Sequence, residues 1–299
     1  MALGRKSSLT TEGIMVRVVI ALVPGLAVTA WAIGVRALLV VVASTVAAVA
    51  TEVVCTRAFR HLRDFSAVVS GLLIGLCMPP SVPLWIAGIA SVIGVGLGKH
   101  AFGGLGKNLF NPAMVGYAAV LVSFPDQLTH YDAVTGATAL EVVSHRGGAT
   151  LSELTGHSSL GYIGAKGYEW INSAFLVGGL YLVAIRVASW HIPLAVLLGV
   201  TLPAAMFFDA GSASSWGSPL FHCFAGGTML TAFFIATDPV TSPSNARQQW
   251  IYGIFIGAVT MLIRKYGSWP DGFAFAVLLA NVALPLIEGK SRLTALRNR

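Results

Sequence analysis

Ten blocks of apolar residues, separated by short polar intervals, constrain this chain more than any other feature. Five cover about 14–34, 36–55, 66–80, 83–98 and 110–124; after a polar interval at 125–169, five more cover about 171–187, 191–209, 221–236, 250–264 and 272–288. About 20 apolar residues in a helix cross the hydrocarbon of a bilayer, and a helix bonds its own backbone there. Composition agrees, with 56% of residues apolar and 10% charged, whereas a soluble domain carries about a quarter charged residues. The expected fold is therefore an all-α polytopic membrane protein with about ten transmembrane helices. The polar stretch Met1–Glu12 leads into a long apolar run without a small-residue cleavage site, which reads as a first membrane helix rather than a removed signal.

Several blocks fall short of a full span and are flanked or interrupted by Gly and Pro. Such segments in matching places of two halves mark broken helices near a site. Gly103-Gly104 precedes Asn111-Pro112 in the first half, and Gly226-Gly227 precedes Asp238-Pro239 in the second. Each Asn or Asp followed by Pro reads as a helix cap and first helical position. Five spans per half is an odd number, so two such halves would be inverted relative to each other. The domain reading is 1–124 as the first five-helix half, 125–169 as a loop, and 170–299 as the second half with a tail.

With ten spans both termini share one side. That side collects fourteen of the nineteen Lys and Arg residues, against five on the other. The positive-inside rule then places the termini in the cytoplasm and the 125–169 loop outside. Arg264 and Lys265 stand against this count. A net charge of +7 does not indicate nucleic acid, because the basic residues sit at span ends and form no stripe with interleaved aromatics. Cys55, Cys77 and Cys223 each stand alone in apolar sequence, so the chain cannot build a zinc site or an all-cysteine cluster by itself.

The 125–169 loop exceeds the two to eight residues a connector needs. It contains Asp132, Thr135, Gly136, Ala137 and Thr138 in the order D-x-x-T-G-A-T. Gly136 and Ala137 leave the backbone open to a modifying enzyme, and Thr138 offers a hydroxyl for a phosphoester; Asp132 and Thr135 could help bind that enzyme or its metal. By itself the run is a weak signal and reads as an ordinary turn with Asp132 as its cap. Asn111 and Asp238 read either as plain caps or as the lining of a central cofactor or ion site. Glu52, with Arg57 nearby, and Asp209 read as interfacial. Lys99, Lys107 and His100 read as anchors or as an anion-attracting group. No phosphate-cradling loop is present, because the Gly-x4-Gly-Lys-Ser/Thr order is missing.

Four sequence blocks carry a stronger message together. The stretch from Gly98 to Met114, GKHAFGGLGKNLFNPAM, strongly resembles a signature of the D subunits of Rnf complexes, which the B subunits of sodium-pumping NADH:quinone reductases share. The blocks Ala236–Thr241 and Tyr266–Ala276 resemble that family too, and the D-x-x-T-G-A-T run lies between the first two blocks. The resemblance implies FMN joined through its phosphate to Thr138, placed there by a flavin transferase that uses FAD and magnesium. It also implies a non-covalent riboflavin between helices. It implies a place in the bacterial inner membrane beside the A, B, C, E and G subunits of an Rnf complex, with electrons moving between ferredoxin and NAD while Na⁺ or H⁺ is pumped. Ala139 stands where the family often has Pro. The short N-terminal tail favours the Rnf protein over the quinone reductase. A non-redox transporter with five-plus-five inverted repeats is the alternative from another class.

Overall fold

The computed structural model describes residues 10–57, 64–129, 139–144, 149–154, 157–212, 214–269 and 271–288. The first half contains α1 (Thr11–Ala32), α2 (Val35–Thr56), α3 (Ser66–Leu76), α4 (Leu84–Ile93) and α5 (Pro112–Ser123); α4 runs on into a π-helical turn, Gly94–Lys99. The interval contributes α6 (Pro125–Thr129) and α7 (Ala139–Ser144). The second half contains α8 (Tyr168–Ala184), α9 (His191–Met206), α10 (Pro219–Cys223), α11 (Thr228–Leu230) with a π-helical extension Thr231–Ile235, α12 (Ala246–Tyr266) and α13 (Phe273–Glu288). Each apolar block carries helix, and no β-strand is present among the described residues. Thr11–Ala32, Val35–Thr56 and Leu84–Phe102 are long and apolar enough to cross a membrane. The protein is a helical, multi-pass membrane protein.

Local chemistry sets the helix ends. The Thr10 hydroxyl accepts the Gly13 amide and starts α1. Asn111 Oδ1 accepts the amides of Ala113 and Met114 at 3.0 and 3.2 Å, with Pro112 in the first turn, as the Asn-Pro pair predicts for α5. The Asp238-Pro239 pair behaves differently. Asp238 Oδ1 accepts the Val240 amide and its backbone carbonyl accepts the Ser242 amide, so it closes a turn and starts no helix. The expectation of matched helix caps holds for Asn111 and fails for Asp238. The intervening Thr241 hydroxyl donates to the second oxygen of Asp238, which completes the turn without helical backbone.

Helices pack where small residues let backbones touch. A methyl group on Gly257 of α12 would collide with the Val196 carbonyl of α9, and one on Gly178 of α8 would collide with the Ala21 carbonyl of α1. Close backbone approach of this kind is how helices associate in lipid, where no hydrophobic effect drives them together. The outer faces carry Val35, Leu39, Val42, Val46 and Val54, exposed as a lipid-facing surface requires. Trp31, Trp170 and Trp190 are more than half exposed near helix ends, as interface anchors should be. Trp216 instead stacks on Phe207 at 4.5 Å, and Trp269 packs on Phe275.

Candidate functional site

Two short helices leave a gap. Helix α3 stops at Leu76, just before Pro79-Pro80, and the block at 221–236 breaks at Gly226-Gly227 between α10 and α11. The gap is a cavity of about 510 Å³, lined by the ends of α1 and α3, by α5, α7 and α8, and by the Gly226-Gly227 turn. Its walls are largely apolar or aromatic, with Met114, Tyr117, Phe175 and Phe273 among them. Its polar lining includes Asn172, Thr231, Asp271, Arg36 and Lys166. A concave, mostly apolar space with a few convergent polar groups is the usual form of a small-molecule site.

The cavity wall is held by polar side chains of the second half. Asn172 on α8 is 1% exposed. Its amide donates to the carbonyls of Tyr168 and Gly226 at 2.9 Å, and its oxygen accepts the Met229 amide at the start of α11. Arg264 on α12 is 4% exposed. It donates to both oxygens of Asp271 at 3.1 and 3.2 Å, to the carbonyls of His222 and Ala225, and to the Thr228 hydroxyl. Its guanidinium also lies 4.9 Å from the Phe273 ring centroid. Asp271 in turn accepts the Gly227 amide at 2.8 Å. The signal available in sequence was a polar residue within an otherwise apolar helix. Arg264, which the charge count sets on the outer side, is buried.

Helix α7 sits against the same wall. Ala139, Leu140 and Val143 pack with Ala165, Phe221 and Ala225 in a small apolar cluster separate from the main core. The Ser144 hydroxyl donates to the backbone carbonyl of Arg264 at 2.7 Å. Ala139 and Leu140 also line the cavity. Asp132, Thr135, Gly136, Ala137 and Thr138 lie outside the described residues.

A second polar centre joins the halves. Asn111 donates from Nδ2 to the Ile235 carbonyl at 3.3 Å and to Asp238 Oδ2 at 3.5 Å. Its backbone amide donates to Asn281, whose own amide donates to the Thr241 carbonyl and the Tyr252 hydroxyl. The two residues singled out in the Asn-Pro and Asp-Pro pairs thus meet in space. They line a smaller cavity of about 110 Å³ with Ser66, Lys99 and Phe234. Asp238 is half-buried, and burial pushes its carboxyl up, opposed by the Val240 amide and the Thr241 hydroxyl.

The Glu52 environment overturns the interfacial expectation. Glu52 is 2% exposed, and both of its oxygens accept from Lys99 Nζ, at 2.8 and 2.9 Å. His100 Nε2 lies 2.8 Å from Oε2 of the same carboxylate, and Lys99 also donates to the Ser66 hydroxyl. Lys99 is therefore an internal counter-charge, not a surface anchor. The π-helical turn adds a residue just before Lys99, which re-aims the side chains that follow it. Asp209, by contrast, is exposed just past the end of α9, as expected.

Among the described residues, no group of three or more His, Cys, Asp or Glu could hold a metal ion. Comparison with known proteins gives one answer throughout. The model of the NQR2, RnfD, RnfE family matches residues 5–295. Curated relatives carry the name of the D subunit of an ion-translocating oxidoreductase complex. The chain is 41% identical to the protein of that name from Cellvibrio japonicus, covering 93% of this chain and 88% of that one. It is 39% identical to its counterpart from Pseudomonas aeruginosa strain PAO1, over 96% and 92% of the two chains. For Aeromonas salmonicida the figures are 36%, 94% and 93%. A match over nearly the whole chain, with residues of three of the four family blocks on the walls of the two cavities, leaves one conclusion: this chain belongs to the NQR2, RnfD, RnfE family.

Proposed function

We propose that the chain is the electron-carrying membrane subunit of an ion-translocating oxidoreductase of the Rnf type, with FMN esterified to Thr138 and its ring housed in the 510 Å³ cavity. The observation that carries this reading is the position of Ala139 and Leu140. They follow the D-x-x-T-G-A-T run directly in sequence and line that cavity. The volume falls within the roughly 300–1,000 Å³ of small-molecule sites. Aromatic and aliphatic walls suit a flat ring, and Arg36 and Lys166 supply positive charge for a phosphate. Arg36 is oriented by donating to the carbonyls of Pro80 and Ser81. The bound flavin would supply the electron transfer; the chain supplies position, a dry apolar wall and the surrounding charge.

Attachment needs a separate flavin transferase. In the balanced step, the Thr138 oxygen bonds to the flavin-side phosphorus of FAD, the pyrophosphate bond breaks, AMP leaves, and the hydroxyl proton passes to solvent or base. The A, B, C, E and G subunits of the complex would bring the ferredoxin and NAD chemistry, which this chain has no cysteine run or dinucleotide fingerprint to perform. Redox-dependent rearrangement of the halves would couple the electrons to Na⁺ or H⁺ movement. Riboflavin in the smaller cavity would require that space to widen well beyond 110 Å³.

The relation of the halves and the orientation belong to this proposal. Helices α1 and α8 pack on each other, and so do α5 and α13. These are the like-with-like pairings a two-fold axis between two inverted five-helix halves produces. Lys99 and Arg264 are both internal, so one cation leaves each side of the charge count and the excess remains with the termini. That supports cytoplasmic termini and a periplasmic flavin loop in the inner membrane. Cys77 provides the test, because it lines the cavity. With the transferase co-expressed, the Cys77 thiol should react more slowly with a small thiosulfonate in the wild type than in Thr138→Ala. Equal rates would place the flavin elsewhere.

A further inference from the structure

We infer that the Arg264–Asp271 pair is the positioning clamp of the 510 Å³ cavity and sets the electrostatics felt by the ligand inside it; the inference rests on the flavin reading above. Three observations converge on this pair. First, Arg264, on the last turn of α12 behind the wall, is tied to the end of α10, the start of α11 and, through its own backbone carbonyl, α7; of these α7 and α11 line the cavity. Second, Asp271 holds the Gly227 amide, and Asp271, Gly226, Gly227 and Phe273 all face the cavity. Third, Gly226 has φ +58°, and a methyl there would collide with Asp271 and crowd the Arg264 guanidinium and Leu140. Glycine suits the turn on both counts: its φ is left-handed, and any side chain there would press on the closed clamp.

The charge logic gives the pair a function beyond architecture. Arg264 is almost fully buried, whereas the Asp271 side chain keeps 19% of its surface exposed. A buried cation without its carboxylate, or a carboxylate without its cation, would impose a field on the cavity that water cannot screen. A reduced flavin carries more negative charge than an oxidised one. Removing the carboxylate therefore favours reduction, and removing the guanidinium opposes it. A clamp that acted only on folding would move both variants in the same direction.

The experiment uses the full chain in its complex, comparing wild type, Asp271→Asn and Arg264→Gln. Intact mass first reports whether flavin is attached. The midpoint potential of this flavin is then read by spectroelectrochemistry, and the rate of Cys77 modification reports the closure of the wall. The expected result is a potential raised in Asp271→Asn and lowered in Arg264→Gln, with Cys77 modified several-fold faster in both. Unchanged potentials, or shifts of the same sign in attached and folded variants, would overturn the inference. If the wild type carries no flavin, the flavin reading itself fails. The clamp then stands or falls on Cys77 alone: faster modification in both variants supports it, and unchanged rates sink it.

Discussion

Replacing Lys99 by Met tests how much of the packing around Glu52 depends on a buried ion pair. The Lys99 and Glu52 side chains are 2% and 3% exposed, and the ammonium donates to both carboxylate oxygens and to Ser66. Met fits the space of the lysine stem but supplies no donor. Glu52 would be left buried with His100 as its remaining partner. Breaking one side of such a pair costs roughly 3–5 kcal/mol, because the surviving charge is desolvated without compensation. Replacing both partners with apolar groups of similar volume is instead neutral or stabilising, by up to about 4 kcal/mol. The double variant Lys99→Met with Glu52→Leu should therefore recover most of the loss. Reversible unfolding in mixed micelles, followed by tryptophan fluorescence, measures both. A Lys99→Met variant within about 1 kcal/mol of wild type, or a double variant no better than the single one, refutes this account of the pair.

Two further perturbations address packing and charge. Gly257→Ala should force α12 away from the Val196 carbonyl of α9 and cost roughly 1–3 kcal/mol, read by the same unfolding assay; no measurable change would mean the helices do not touch there. Asp238→Asn should flatten part of the pH dependence of stability. A carboxyl whose folded pKa is raised favours the protonated folded state, so its contribution is present at acid pH and is lost as pH rises through the folded value. Thermal unfolding across that range should show the wild type losing more stability than the variant, and identical slopes would contradict the assigned cause.

Much of the architecture was legible because lipid imposes simple rules. Apolar blocks became helices, and Asn111-Pro112 started one. The blocks at 66–80 and 221–236, shorter than a full span, carry short helices: α3 ends at Leu76, and α10 and α11 part at Gly226-Gly227. Partnership was not legible. Nothing in the spacing of Glu52, Lys99 and His100 shows that residues nearly fifty positions apart meet, and the π-helical turn that aims Lys99 inward has no periodic signature. Arg264 looked like an exception to a charge rule because charge counting assumes exposure. Asp238 resembles Asn111 in sequence, yet it sits in a turn in which it accepts from the Val240 amide and the Thr241 hydroxyl. Asn172 was invisible for a simpler reason: its role depends on the Gly226-Gly227 break in another helix.

The most direct test of the central claim is the intact mass of the denatured wild-type chain beside Thr138→Ala, both made with a flavin transferase and FAD supply. The account predicts a wild-type mass raised by one FMN less one water, and no such increase in the variant. An unmodified wild-type chain under those conditions would contradict it and bring a non-redox transporter of the same helical architecture to the front.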